Sequence, residues 1–292
     1  MRLVAVIALI AAVAAVAALA SSGGGGSNRA SSAPGHGKGK RASHQKHAPA
    51  PPKIVKGPHD KPVPILMYHV ISDPQPGAPF PELYTPEPVF AAQMRALDGK
   101  GYHGVTLKQV DDYWHRGYAL PPKPIVISFD DGYVSHYTHA APVLRRLGWP
   151  GVLNLEINNV ARPGNISPSR VRKLVAAGWE IDSHTLTHPD LTQVGAQQLH
   201  DELVNSRAYL RRHFGVPADY FCYPAGRFNA TVEAAVRKAG YRMATTTVPG
   251  FASAKGDPYA LDRIRVDGTD GASGLLAKLA NPSTAQNGYA GG

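Results

Sequence analysis

Two adjacent carboxylates at the end of a short apolar run are the first candidates for chemistry in this chain. Residues 125–127 (Ile-Val-Ile) predict a buried strand, and Asp130 and Asp131 follow it before Gly132. Because side chains alternate along a strand, one carboxylate can bind a cation while the other stays available for proton transfer. Taken alone, Asp-Asp-Gly has a simpler interpretation as an acidic cap on a following helix.

Two histidines four residues apart, His184 and His188, form a second group of candidates. Their imidazoles can reach one cation if the chain coils by a turn, although the spacing alone fits solvated or core histidines equally well. With Asp131 from another strand end, they make a three-ligand metal site with open coordination positions, for which Zn²⁺ is the first choice. Such an ion brings the pKa of a bound water to about 7, and Asp130 is the natural base.

Two single residues complete the candidate machinery. Ala225 follows Pro224 at the end of a predicted strand, where small residues let the Ala225 amide approach a developing oxyanion. His69 ends the first predicted strand and can protonate a leaving amine. Each also has a structural interpretation, as a simple strand-to-loop turn for Ala225 and as a structural histidine for His69.

The elements that must position these residues alternate between strands and helices from Pro64 onwards. Apolar residues at helical spacing predict helices between the strands, and no second linker interrupts the pattern. The alternation predicts a single parallel α/β domain whose candidate residues lie at strand ends, where barrels of this sort collect their chemistry. The seven predicted strands lie near residues 65–68, 125–127, 152–157, 179–182, 220–223, 241–245 and 260–266.

Composition narrows the function classes. The chain has 292 residues, 43% of them apolar, and one cysteine, Cys222, so packing rather than an internal disulfide must stabilise the fold. Residues 1–62 carry nine Lys or Arg and one acid, so +8 of the formal charge of +10 lies there. The remainder is close to neutral, and nothing in it predicts nucleic-acid binding.

The first 62 residues predict export. Residues 1–20 have the charged start, apolar stretch and Ala-Leu-Ala end of a cleaved signal peptide, with an uncleaved membrane anchor as the alternative. Residues 21–62 predict a disordered basic linker rich in Gly, Ser, Pro, Lys and His, which can associate with a membrane or an anionic cell wall. Residues 63–285 are the predicted catalytic domain, either secreted or held at the cell envelope.

Three motifs together resemble a known family. Residues 128–132 (Ser-Phe-Asp-Asp-Gly), 183–188 (Ser-His-Thr-Leu-Thr-His) and 223–226 (Tyr-Pro-Ala-Gly) are similar, in this order, to motifs of the polysaccharide deacetylases of carbohydrate esterase family 4, or NodB-homology domains. The resemblance implies a distorted (β/α)7 barrel that removes acetyl groups from N-acetylglucosamine polymers with the help of a metal ion. By position it assigns the base to Asp130, the metal ligands to Asp131, His184 and His188, and the oxyanion donor to the Ala225 amide.

Two departures from the family pattern concern the base and the acid. The family often has an arginine two residues before the proline of the third motif, where this chain has Cys222, and either Arg263 or Arg265 on the last strand can replace it. The usual C-terminal Leu-x-x-His is not evident. Instead His69 precedes the first motif, as in the branch that includes the poly-N-acetylglucosamine deacetylases. The resemblance to that branch implies that His69 is the acid.

The sequence therefore predicts hydrolytic removal of acetate from an N-acetylated glycan, such as peptidoglycan, poly-N-acetylglucosamine or a chitin-like polymer. Three alternatives remain. An acetyl-ester esterase of the xylan type would use the same residues, and a catalytically silent glycan-binding module would keep the fold without needing intact Asp130 and His184. A non-haem iron oxygenase also uses two histidines and a carboxylate, but it gives no role to a second adjacent aspartate.

Overall fold

The computed structural model describes residues 53–284. The predicted signal or anchor at residues 1–20 and most of the predicted linker at residues 21–62 lie outside the described residues. Within residues 53–284, no helix combines the length and the apolar character that a membrane span requires.

Parallel strands form a closed barrel. The strands are β1 (Ile65–Tyr68), β2 (His103–Val105), β3 (Pro124–Asp130), β4 (Val152–Leu155), β5 (Glu180–Ser183), β6 (Tyr220–Cys222), β7 (Met243–Pro249) and β8 (Leu261–Arg265). Seven of them pair in the order β3, β4, β5, β6, β7, β8 and β1, and β1 pairs with β3 to close the ring. The additional strand β2 pairs with the first half of β3 outside the ring. This architecture confirms the predicted distorted (β/α)7 barrel.

Helices connect consecutive strands from β1 to β7, and a loop without a helix connects β7 to β8. In the described part of the chain, the α-helices are α1 (Glu87–Gly99), α2 (Leu107–Arg116), α3 (Ala141–Leu147), α4 (Pro168–Ala176), α5 (Ala196–Phe214), α6 (Ala230–Lys238) and α7 (Gly271–Ala280). The start of α2 shows how the sequence sets a boundary, since the Thr106 side chain accepts from the Gln109 amide while the Gln109 side chain accepts from the Thr106 amide. Gly117 ends the same helix with a φ of 71°, a left-handed conformation that glycine adopts at little cost.

The observed elements differ from the predicted ones in three places. The strand pattern predicts no separate strand at β2, and the segment between β3 and β4, where the pattern predicts a helix, contains a π-helical turn, His136–Ala140, before α3. Helix α7 was not predicted, because its first turn contains Gly271 and Gly274, which are poor helix formers. It forms because Leu275 and Leu279 are buried and the helix packs against α1.

An aromatic cluster fixes the position of the strand ends that carry the candidate residues. The rings of Tyr68 on β1 and Phe129 on β3 stack with centroids 5.7 Å apart, and Phe90 of α1 packs against both. The buried Tyr68 hydroxyl donates to Gln93 of α1, so its polar atom is also satisfied. Since His69 follows Tyr68 and Asp130 follows Phe129, this packing sets the distance between the two candidate residues.

Candidate metal centre and active site

The carboxyl ends of four barrel strands bring the predicted residues together. His69 follows β1, Asp130 ends β3, and His184 follows β5. Ala225 lies in the short helical turn Pro224–Gly226 after β6. Parallel strands in a barrel end at the same rim, so residues from distant parts of the sequence meet there.

Asp131, His184 and His188 place three potential ligand atoms around one point. The Oδ1 atom of Asp131 lies 3.5 Å from Nε2 of His184 and 3.7 Å from Nε2 of His188, and the two imidazole centroids are 4.7 Å apart. Ligand atoms about 2.1 Å from a tetrahedral ion lie about 3.4 Å from one another. The observed spacing therefore fits a single ion with these three ligands.

The loop after β5 is held in an unusual conformation. Thr185 and His188 have positive φ values of 67° and 56°, a region that few residues other than glycine adopt and that is especially uncommon for a β-branched residue such as Thr185. The buried Glu202 of α5 accepts the amides of Leu186 and Thr187 at 2.8 and 3.0 Å, and the Thr185 hydroxyl accepts the His188 amide at 2.9 Å. These bonds stabilise a coil that turns both imidazoles toward Asp131, as the sequence required.

The backbone carbonyl of Cys222 orients His184. Nδ1 of His184 donates to this carbonyl at 2.8 Å, which leaves Nε2 facing Asp131. A hydrogen bond of this kind is the usual support of a metal-binding histidine. In the metal-free protein, Cys222 and Asp131 raise the pKa of His184 well above its ordinary value even though burial opposes them, so Nε2 holds a proton that an ion must displace.

The other two ligands are already in the form that binds metal at neutral pH. Burial, followed by the neighbouring His184, lowers the pKa of His188 to about 4, so its imidazole is neutral. Burial opposes ionisation of Asp131, but its hydrogen bond to His184 and the charges of nearby histidines lower the pKa of Asp131 to about 2. Asp131 is therefore a carboxylate across the physiological range.

Asp130 binds a buried guanidinium, and one of its carboxylate oxygens also lies within 4.8 Å of a ring nitrogen of His184. Its two carboxylate oxygens accept from Nη1 and Nη2 of Arg263 at 2.9 and 2.8 Å, and Oδ1 also accepts from Asn154 at 2.7 Å. Burial opposes ionisation, yet the charge of Arg263 holds the pKa of Asp130 well below its ordinary value. The sequence left Arg263 and Arg265 as alternatives; the structure brings Arg263 to Asp130 and places Arg265 against Asp267 at 3.0 Å.

His69 lies beside Asp130. Its Nε2 is 3.9 Å from Oδ2 of Asp130, and the side chain is almost completely buried. Burial lowers the pKa of His69, while the charges of Asp130 and Asp131 act in the opposite direction. His69 can therefore exchange a proton with a substrate group bound next to Asp130.

An open groove of about 500 Å³ leads to the centre. Ala225 lines it with a φ of 50°, and the following amides of Gly226 and Arg227 close the turn by donating to Tyr223 and Pro224. The Ala225 amide is not among the donors that close this turn. Gly226 is required here, because its φ is 69° and a Cβ would collide with Thr247.

Several residues of the site were missed from the sequence. Asn154 and Glu156, at and just beyond the end of β4, follow the same strand-end rule that identified Asp130. Glu156 lines the groove and accepts from Asn159 at 2.7 Å, and burial together with the charge of Asp131 raises its pKa to about 7. Glu202 lies on a helix and carries no sequence signal of this kind.

Known proteins that are similar to this chain are polysaccharide deacetylases. Residues 117–244 match the family model described as polysaccharide deacetylase. The chain is 32% identical over 204 residues to YxkH of Bacillus subtilis, whose name places it among the polysaccharide deacetylases, covering 70% of this chain and 71% of YxkH. The chain therefore belongs to the polysaccharide deacetylase family, whose members are hydrolases, and the resemblance seen in its motifs is confirmed.

Two further proteins are similar to this chain, one in structure and one in sequence. The structure of the Streptococcus pyogenes deacetylase PplD in complex with acetate matches with a TM-score of 0.70 and 25% identity, over 75% of this chain and 98% of PplD. The poly-β-1,6-N-acetyl-D-glucosamine N-deacetylase of Escherichia coli K12 is 25% identical over an alignment of 205 positions, which covers 56% of this chain and 30% of that protein.

Proposed function

We propose that this protein is a metal-dependent N-deacetylase of an N-acetylglucosamine-containing polysaccharide outside the cell or in its wall, and that it releases acetate. The observation that carries the proposal is the pairing of two carboxylates with separate partners. Asp131 faces two imidazoles at 3.5 and 3.7 Å, while the adjacent Asp130 faces Arg263 and His69. Hydrolysis of an amide needs both an electrophilic centre and a separate proton acceptor.

Asp131, His184 and His188 fit a divalent ion, with Zn²⁺ the first choice for two nitrogen donors and one oxygen donor. When bound, such an ion acidifies water and polarises a carbonyl oxygen. The donor set suits this role because His188 is neutral, Asp131 is ionised, and the Cys222 carbonyl fixes the ring of His184.

Asp130 accepts the proton of the attacking water in this mechanism. Its low pKa makes it a weak base in solution, so its contribution depends on position and on the acidity of the water. Arg263 and Asn154 fix both carboxylate oxygens and keep the group ionised. His69 then delivers a proton to the departing glucosamine nitrogen.

The Ala225 amide stabilises the oxyanion that forms when water adds to the acetamide carbonyl. A donor of this kind typically contributes about 3–4 kcal/mol to the stability of the transition state. Its place on the groove beside Asp131 and His188 supports this role. The left-handed conformation of Ala225 turns the peptide plane relative to the strand, which is the type of local strain found at functional sites.

The glycan is proposed from the relatives. The Escherichia coli protein and several from Staphylococcus aureus are named for poly-β-1,6-N-acetyl-D-glucosamine, while peptidoglycan and chitin-like polymers carry the same acetamide group. We also propose that residues 1–20 export the protein, so that it meets its substrate at the cell envelope, where the basic linker at residues 21–62 can bind an anionic surface.

Acetate release from a panel of glycans tests this function. Poly-β-1,6-N-acetylglucosamine, peptidoglycan, N-acetylated chitooligosaccharides and acetylated xylan are compared with and without a chelator. Release from an N-acetylated glycan that the chelator abolishes supports the proposal. Release from acetylated xylan alone would identify an ester-specific enzyme, and binding without release would identify a glycan-binding module.

A further inference from the structure

The π-helical turn His136–Ala140 lies against the end of β1, where His69 begins the loop. A π-turn inserts one extra residue into a helix and re-aims the side chains around it, and such turns are frequent at functional sites. Here the turn buries the His136 side chain completely. Burying a polar imidazole costs free energy of folding that burying an apolar ring of the same size does not, unless the imidazole forms hydrogen bonds.

Three side chains at this turn hold two backbone residues of the β1 loop. Nε2 of His136 donates to the carbonyl of His69 at 2.5 Å. The Ser135 hydroxyl accepts the Ile71 amide at 3.0 Å, and Nδ1 of His139 donates to the Ile71 carbonyl at 2.6 Å. The loop that carries the candidate acid is therefore fixed at both His69 and Ile71 by a helix more than 60 residues away in the sequence.

Two aromatic rings pack against the imidazole of His136. It packs on Phe129 with centroids 5.1 Å apart and meets the edge of Tyr133 at 5.8 Å. Because a carbonyl can only accept, Nε2 carries the proton and Nδ1 carries the lone pair. Nδ1 is buried and has no hydrogen-bond partner among the described residues. The hydrogen bond from Nε2 to the His69 carbonyl therefore forms although Nδ1 of the same ring is left unsatisfied.

We propose that His136 is a positioning residue that aims the imidazole of His69 at the bond to be cleaved. Holding the His69 carbonyl fixes the backbone from which its side chain departs, and this places Nε2 of His69 at 3.9 Å from Asp130. The inference rests on the proposed function, in which His69 protonates the departing nitrogen. A displacement of about 1 Å in such a group is enough to reduce turnover by about a hundredfold.

The test compares two substrates that differ in their need for an acid. An N-acetylated chitooligosaccharide requires protonation of its amine, whereas 4-nitrophenyl acetate releases a phenolate that needs no proton. In His136→Phe, which keeps a ring and removes the donor, we expect kcat on the oligosaccharide to fall about tenfold to a hundredfold with KM unchanged. Turnover of the ester should stay within about twofold of wild type, because only the acid step depends on His69.

Two more variants make the result specific. His136→Gln presents an amide donor near the position of Nε2, and it should recover most of the lost turnover. Thr138→Val, in the same turn, removes a hydroxyl that bonds only to the Val134 carbonyl of its own helix, and it should behave as wild type. If His136→Phe does not fold, as judged by circular dichroism, His136→Asn replaces it, because its shorter amide cannot reach the His69 carbonyl.

Equal losses on both substrates, or unchanged turnover of the oligosaccharide, would overturn the inference. Failure of the proposed function looks different, since the wild-type protein itself would then release no acetate from N-acetylated glycans. In that case hydrogen exchange over residues 66–72 tests the contact alone. Faster exchange in His136→Phe would support the hold on the loop, and an unchanged rate would refute it.

Discussion

The guanidinium of Arg263 binds both carboxylate oxygens of Asp130, although the strands that carry them, β8 and β3, are separated in the barrel by β1. The pair crosses the barrel interior and is almost completely buried. Both charged groups are desolvated, and the attraction between them offsets the free-energy cost of that desolvation. This relationship explains how the base stays ionised in an apolar barrel, and it yields the first prediction.

Replacing Arg263 with Met should strongly destabilise the protein. At pH 7 we expect the free energy of unfolding in urea to fall by about 3–5 kcal/mol, because Asp130 is left buried without a counter-ion. Arg237→Met is the matched control, since Arg237 forms an exposed pair with Glu233 and lies over the Tyr259 ring, and its loss should cost no more than about 2 kcal/mol. Equal small losses in both variants would contradict the account.

The same pair sets a pH window for stability. The pKa of Asp130 is depressed in the folded protein, so its contribution is present above the unfolded pKa of about 4 and is lost as the pH falls below it. Wild type should therefore lose stability below about pH 4, and the difference between wild type and Arg263→Met should shrink there. Urea titrations between pH 3 and pH 7 measure this trend.

Asp130→Asn should separate catalysis from metal binding. The amide keeps the shape of the side chain but cannot accept a proton from water, so we expect kcat to fall by about 10²–10⁴ while the metal content per chain is unchanged. Elemental analysis and acetate release measure the two properties on one sample. Turnover close to wild type would remove Asp130 from the role of base.

Glu202→Gln should weaken metal binding although Glu202 is not a ligand. Its carboxylate accepts the Leu186 and Thr187 amides and thereby fixes the loop between the two histidines. We expect a loss of about 10–100-fold in Zn²⁺ affinity, the range for residues that orient ligands. Glu233→Gln, in an exposed ion pair on α6, is the control and should leave the affinity unchanged.

Zinc binding should release a proton at pH 7. Because Asp131 and Cys222 keep Nε2 of His184 protonated in the metal-free protein, an ion must displace that proton, whereas His188 is already neutral. Affinity should then rise about tenfold per pH unit up to the pKa of His184. Calorimetry in buffers of different ionisation enthalpy counts the proton, and a count of zero would contradict this assignment.

The convergence of His69, Asp130 and His184 could be predicted because parallel strands in a barrel end at one rim. The choice between Arg263 and Arg265 could not be made in the same way. The two residues are two positions apart on β8, so strand alternation places both on the same face. Tertiary contacts decide which guanidinium reaches Asp130, because Nε of Arg263 donates to the Thr246 carbonyl of β7, whereas Nε of Arg265 donates to Asp267.

The backbone conformation of the coil between His184 and His188 could not be predicted from the sequence, for a different reason. Thr185 is β-branched and has no propensity for the left-handed conformation that it adopts, and the loop is held by Glu202, which lies on the following helix. The positioning of His69 by His136 likewise depends on a π-turn that a regular helical pattern does not reveal. In both places tertiary contacts override local preference, which is where functional sites commonly depart from sequence rules.

The central claim is that one ion held by Asp131, His184 and His188 is required for removal of acetate. Acetate release from an N-acetylated chitooligosaccharide by metal-stripped protein, before and after addition of one equivalent of Zn²⁺, tests it most directly. The account predicts no release from stripped wild type, recovery on adding zinc, and no recovery in His184→Ala. Undiminished release from the stripped protein, or recovery in His184→Ala equal to that of wild type, would contradict it.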